Sequence, residues 1–151
     1  MSSNRKAKEE LIRYYGAECF IEKLHLRKDK EPRTYTGKGQ YARMKQLTYH
    51  HIRMKKDGGR ATRENGALLS AENHSWFHKQ SQQAQGYMNA MFQEYKRQTD
   101  ECRVVYVDEL DLPFEIHPIE FSIDEKGKFN RAKEKQKTKK LIDDYYNEEE
   151  K

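Results

Sequence analysis

The chain has little with which to staple or bury itself. Only two cysteines, Cys19 and Cys102, occur in 151 residues. Neither falls in a C-x-x-C or paired pattern, so no disulfide framework is expected and a reducing cytoplasm is the simpler setting. No stretch approaches the roughly 18 consecutive apolar residues of a membrane span, and Met1 to Glu10 is polar and charged. Neither export nor membrane insertion is therefore signalled. Hydrophobic residues make up 34% and charged residues 36%, so the core must be thin and part of the chain is expected to stay extended. Ten Tyr and six Phe supply bulk where they fall. The length fits one small domain with one active site.

What is present is charge, unevenly placed. Residues 1–63 carry 17 Lys/Arg against 7 Asp/Glu, and residues 64–151 carry 13 against 18, so the front is +10 and the back −5. A one-sided excess of this kind suits a polyanion, because each cation near a phosphate releases condensed counterions. A merely solvated surface gives the same composition, and charge alone does not separate the two.

Along the chain, residues 3 to 15 read as a helix stopped by Gly16, with Leu11, Ile12 and Tyr15 on one side, and a short helical turn through Phe20, Ile21 and Leu24 follows. Arg27 to Gln46 has the composition of a basic connector, and its Gly37-Lys38-Gly39 lacks the spacing of a phosphate loop. Leu47 to Arg53 and Gly66 to Ser70 read as two strands of a hairpin, joined by a charged loop turning at Gly58-Gly59. Ser70 can cap a helix carrying His74, Trp76, Phe77 and His78, with Asn73 at its third position. Ala84 to Thr99 is a further helix, with Tyr87, Met88, Met91, Phe92 and Tyr95 at helical spacing as core. Arg103 to Val107 and Ile116 to Ile123 have the β-branched content of a second hairpin, and Asn130 to Asn147 reads as a charged final helix that projects or docks on a partner. The expected architecture is α+β, in three segments: a helix and connector over 1–46, a hairpin and helices over 47–99, and a β-hairpin plus helix over 100–151.

Of six histidines, four lie between residues 50 and 78. His74 and His78 are four apart, so on a helix they project from one face and can converge on one ion. His50 and His51 are adjacent, which on a strand sends them to opposite faces. Only one of that pair can join the helix histidines, and its neighbour is left for a different task. Phosphodiester hydrolysis needs two such tasks: a cation for charge building on phosphate and leaving oxygens, and a base of near-neutral pKa. Imidazole can serve as either ligand or base. His25 and His117 stand apart and are read as structural.

The segment LTYHHIRMKKDGGRATRENGALLSAENHSWFH, about a fifth of the chain, resembles the HNH, or ββα-metal, nuclease family. That family's pattern is a His-His or Asp-His pair, a Gly-Gly loop, an Asn, and a helix bearing His or Asn ligands. The histidine arrangement is similar to that of bacterial colicin DNases, and the flanks are similar to small HNH proteins encoded by bacteriophages. The resemblance implies that His50, His74 and His78 hold one divalent ion, that His51 is the general base, and that Asn65 positions the loop that orients it. It also implies endonucleolytic cleavage of DNA leaving 5′ phosphates, in the cytoplasm of a bacterial host, with a phage or host protein as a possible partner. Many HNH proteins carry two C-x-x-C pairs for a structural zinc. Here Ser70 and Asn73 occupy two of those places, so no structural zinc is expected.

Imidazole ligands favour Zn, Ni, Co or Mn over Mg. Arg43, Lys45, Arg53, Lys55, Lys56, Arg60 and Arg63 flank the motif as candidate phosphate contacts, although a residue of this kind taken singly is more often an exposed surface charge. Trp76 and Phe77 are expected to pack the helix on the hairpin. Three rival readings stay open: a closed structural zinc site in a non-catalytic binding module, an RNA substrate, and a nuclease that needs a partner.

Overall fold

The computed structural model describes residues 3–30, 46–117 and 131–149, and the fold is mixed α+β. Helix α1 (Ser3–Tyr15) buries Ala7, Leu11, Ile12 and Tyr15 on one face. It ends where Gly16 takes a φ of 88°, a left-handed conformation that costs glycine nothing, and donates its N–H to the Ile12 carbonyl at 2.8 Å. A single turn, α2 (Phe20–Lys23), buries Phe20 and Ile21 against the same core.

Strands β1 (Leu47–His51) and β2 (Gly66–Ser70) form an antiparallel pair running from Leu47 opposite Ser70 to His51 opposite Gly66. Every residue of β2 is buried, so the strand is covered on both faces rather than lying half in water. Gly66 is where the chain passes closest to its cover: a β-carbon there would meet the ring of Tyr49 and, at 2.8 Å, the side chain of Leu11. Helix α3 (Ala71–His78) starts with no linker, because Ser70 closes the strand and caps the helix by accepting the Asn73 N–H at 3.2 Å.

Helix α4 (Gln82–Leu110) is capped by Ser81 and runs 29 residues. Residues 103–107 are thus helical, which corrects the strand expected there. Buried positions continue at helical intervals through Met88, Phe92, Lys96, Thr99, Arg103 and Tyr106. Val104 and Val105 are 46% and 49% exposed, so the segment lacks the alternating buried face that makes a strand worth forming. The C-terminal β-hairpin is therefore absent as drawn, and the division between residues 99 and 100 falls inside a continuous helix. Ile116 and His117 are not in a strand, and the rest of the second expected strand lies outside the described residues. So does most of the basic connector, with Arg43, Lys45 and Gly37-Lys38-Gly39.

Helix α5 (Arg131–Glu149) matches the expected final helix to within two residues. It docks on the chain itself: Leu141 packs into a small second cluster with Tyr106, Leu110, Leu112, Phe114 and Ile116, and Tyr145 stacks on Phe114 at 4.6 Å. Cys19 is buried and Cys102 exposed, both as free thiols. No helix among the described residues is long and apolar enough to cross a membrane.

Because Tyr49 and Leu11 fill the space above Gly66, Gly66→Ala is expected to lower stability by about 1–3 kcal/mol through overpacking. Urea unfolding measures this, and a wild-type midpoint would show that the Tyr49 ring moves aside freely.

Candidate metal centre

The pleat of β1 sorts its side chains. Thr48 and His50 face α3 and α4, while Tyr49 and His51 share the other face with their rings 4.8 Å apart, edge to face. His50 is 2% exposed and lies against Phe77 and Phe92. From α3, His74 and His78 approach it one turn apart, their rings 4.9 Å from each other and 5.2 and 5.9 Å from His50. One ring nitrogen from each of the three lies within 4.8 Å of the others, close enough to hold one metal ion. Burial falls from His50 through half-buried His74 to exposed His78, so the set is open on one side.

The electrostatics suit a cation. Burial pushes the His50 pKa down to about 4 against the raising effect of a hydrogen bond to Asn89, and His74, His78 and His51 add smaller lowering contributions. Burial, then His78 and His51, lowers that of His74 as well. Both rings are neutral at pH 7 and keep a lone pair for an ion. For His74 the hydrogen bonds identify the nitrogen. The Thr48 hydroxyl donates its one proton to the Leu69 carbonyl at 2.7 Å, so it must accept from His74 Nδ1 at 2.8 Å, which leaves Nε2 with the lone pair. A neighbour that fixes a ligand's tautomer in this way is common around metal sites. Three imidazole ligands would leave a fourth tetrahedral position unfilled by protein among the described residues.

His51 is half-buried on the opposite strand face. Burial first, and the Lys55 ammonium second, lower its pKa, so it too is a free base at neutral pH. The loop beyond it is held by Asn65, whose Oδ1 accepts the Arg53 N–H at 2.8 Å and whose Nδ2 donates to the carbonyls of Arg53 and Arg60 at 3.0 and 2.9 Å. The two glycines of this loop have separate causes. Gly58 takes a φ of 89°, and a β-carbon on Gly59 would strike the Arg53 carbonyl and the Asn65 amide.

Sequence reasoning missed three residues that support this arrangement: Thr48, Asn89 and Lys96. Asn89 Oδ1 lies 2.9 Å from His50 Nε2, and its Nδ2 donates to the Ile52 carbonyl at 3.4 Å. Lys96 is 4% exposed, and its ammonium donates to the carbonyls of Arg63, Glu64 and Gly66 at 2.9, 2.8 and 2.8 Å. Burial lowers its pKa to about 8. Gln93, between them, donates to the Glu64 carbonyl at 3.1 Å. The signal that could have found the α4 group is its spacing: Asn89, Gln93, Lys96, Asp100 and Arg103 repeat at four and three, the interval of a single helix face.

Arg53, Lys55, Lys56 and Arg60 are exposed in the loop that follows His51, and Lys55 lies near enough to His51 to lower its pKa. Arg63 differs. Its guanidinium stacks on Tyr14 at 4.0 Å and reaches the Tyr15 hydroxyl and Asp100, so it is committed to packing. Phe77 is buried as expected, and Trp76 is half-buried beneath the Arg27 guanidinium. His25 and His117 are exposed and outside the cluster. No family model, no curated protein and no solved structure matches the chain, so the functional reading rests on its own residues.

Two outcomes are expected. His50 in the folded chain takes a proton only near pH 4, whereas an unfolded histidine does so near 6.5. Its contribution is therefore complete above about pH 6.5 and lost as pH falls toward 4, on the order of 3 kcal/mol. Urea unfolding of the metal-free chain should trace that fall, and His50→Gln should flatten it; an unchanged slope contradicts the assignment. Lys96→Met removes a donor from three carbonyls, of which that of Glu64 keeps Gln93, and should cost on the order of 3 kcal/mol. Thermal denaturation with no loss of midpoint would remove Lys96 from the support of the loop.

Proposed function

We propose that this protein is a metal-dependent endonuclease of the HNH type, in which β1, β2 and α3 form the ββα-metal core. One observation carries the reading: three imidazoles from β1 and α3 converge, while His51, the chain neighbour of one of them, lies on the opposite face of the strand with its basic form favoured. Ligand and base are thereby separated by a single peptide unit.

His50, His74 and His78 would hold the ion, and a divalent cation bound there would supply Lewis-acid neutralisation of the charge that builds during phosphodiester cleavage. His51 accepts the proton of the attacking water, and its lowered pKa keeps it unprotonated at neutral pH until that step. Exposed Arg53, Lys55, Lys56 and Arg60 bind backbone phosphates around the base. Asn65 contributes no proton or charge. It closes the loop on both sides, so that the backbone following His51 has one conformation. DNA is the substrate proposed, as the resemblance to the HNH family implies; the flanking cations address the phosphates that any nucleic acid carries.

The test is cleavage of supercoiled plasmid with Zn, Ni, Co, Mn or Mg. Wild type should nick it, His51→Ala should lose about 10²- to 10⁴-fold in rate while still binding metal, and His74→Ala should lose both. An intact plasmid with every ion, or nicking by His51→Ala at the wild-type rate, would overturn the proposal. Cleavage of an RNA strand but not of plasmid would replace DNA as the substrate.

A further inference from the structure

Asn89 belongs to α4, outside the hairpin and helix that carry the histidines, yet it touches the most buried of them. We propose that Asn89 is a positioning residue that holds His50 as its Nε2–H tautomer and so presents Nδ1 as the ligand atom to the metal site. The inference rests on reading His50, His74 and His78 as a metal site, and is independent of nuclease activity.

The argument begins with the amide. A side-chain amide can be turned either way, but the Ile52 carbonyl beside Asn89 accepts a hydrogen bond and cannot give one. The Asn89 Nδ2 group must therefore face Ile52, which leaves Oδ1 against His50 Nε2 at 2.9 Å. An oxygen acceptor there demands a hydrogen on Nε2. Neutral imidazole has one such hydrogen, so Nδ1 carries the lone pair.

Thr48 imposes the opposite choice on His74, whose Nε2 is the free nitrogen. The site thus joins an Nδ1 donor from the strand to an Nε2 donor from the helix. The same amide grips the chain on both sides of His51, through the side chain of residue 50 and the carbonyl of residue 52. It therefore ties the ligand and the strand segment bearing the base to one rigid helix. Two tautomer-fixing contacts from outside the ligand set also distinguish a built metal site from three histidines that happen to cluster.

Two measurements on the full chain test this. Imidazole ¹⁵N NMR of the metal-free protein should find His50 as the Nε2–H and His74 as the Nδ1–H tautomer. Zinc affinity, read by competition with a chromophoric chelator and without nucleic acid, should fall about 10- to 100-fold in Asn89→Leu. It should be retained in Asn89→Asp, which keeps an acceptor oxygen, and in Gln93→Leu, which removes a loop hydrogen bond from the same helix but leaves His50 alone.

His50 found as Nδ1–H, Asn89→Leu binding zinc as tightly as wild type, or equal weakening in Asn89→Asp or Gln93→Leu would each overturn the proposal. Should Asn89→Leu fail to fold, the wild-type tautomer decides. Wild type taking up no zinc would remove the metal site and this inference together, whereas zinc binding without plasmid cleavage would fail the nuclease reading alone.

Discussion

A two-stranded sheet is marginal in water, and everything else in this fold follows from the need to cover one. β2 is buried along its whole length, which puts backbone and side chains under α1 on one side and under α3 and α4 on the other. Apolar contact supplies most of that cover: Leu11, Tyr15, Phe20, Leu68, Leu69, Phe77 and Phe92 form one continuous cluster. Apolar contact has no direction, however, and does not fix a long polar loop. The polar stripe of α4 does, with Asn89 on the strand exit and Gln93 and Lys96 on the loop's return.

Buried cations are an expensive way to make such a joint. An ammonium taken out of water loses several kcal/mol of hydration, and only full satisfaction of its donors offsets the loss. Lys96 meets that condition by placing three hydrogens on three carbonyls, the number it has. Its depressed pKa records the residual cost. Arg103, 2% exposed further along the helix, is balanced less completely, by Asp100, the Tyr14 carbonyl and the faces of Tyr14 and Tyr15. Such joints are specific in a way an apolar contact is not, since a carbonyl that moves loses its donor. Precision of the loop is the return for a weaker core.

The legible parts of the sequence were those whose cause is local. Gly16 stops α1, Ser70 caps α3, and the spacings of His74 with His78 and of His50 with His51 need only helix and strand periodicity. What escaped was decided at a distance. Thr48 acts on a residue 26 positions away, Lys96 across 30 and Asn89 across 39. Each polar side chain looks like a solvated one until its partner is known. The valines of 103–107 misled for a related reason: their β preference is weak, and burial of Arg103 and Tyr106 on the helix face outweighs it.

Register links stability to chemistry. Side chains alternate along β1, so a shift of one residue against β2 would send His51 inward to α3 and His50 outward to the basic loop. The inward histidine loses its proton affinity to burial, and the outward one keeps access to solvent. Which of two adjacent, identical side chains can bind an ion and which can take a proton is therefore not a property of either. It is set by whatever holds His51 opposite Gly66: the Asn65 bridge, the Lys96 clamp, the Ser70 cap and the lack of room above Gly66 for a β-carbon. Constraints that serve only to close a hairpin in a thin core also set which of its histidines could take each of the roles proposed for them.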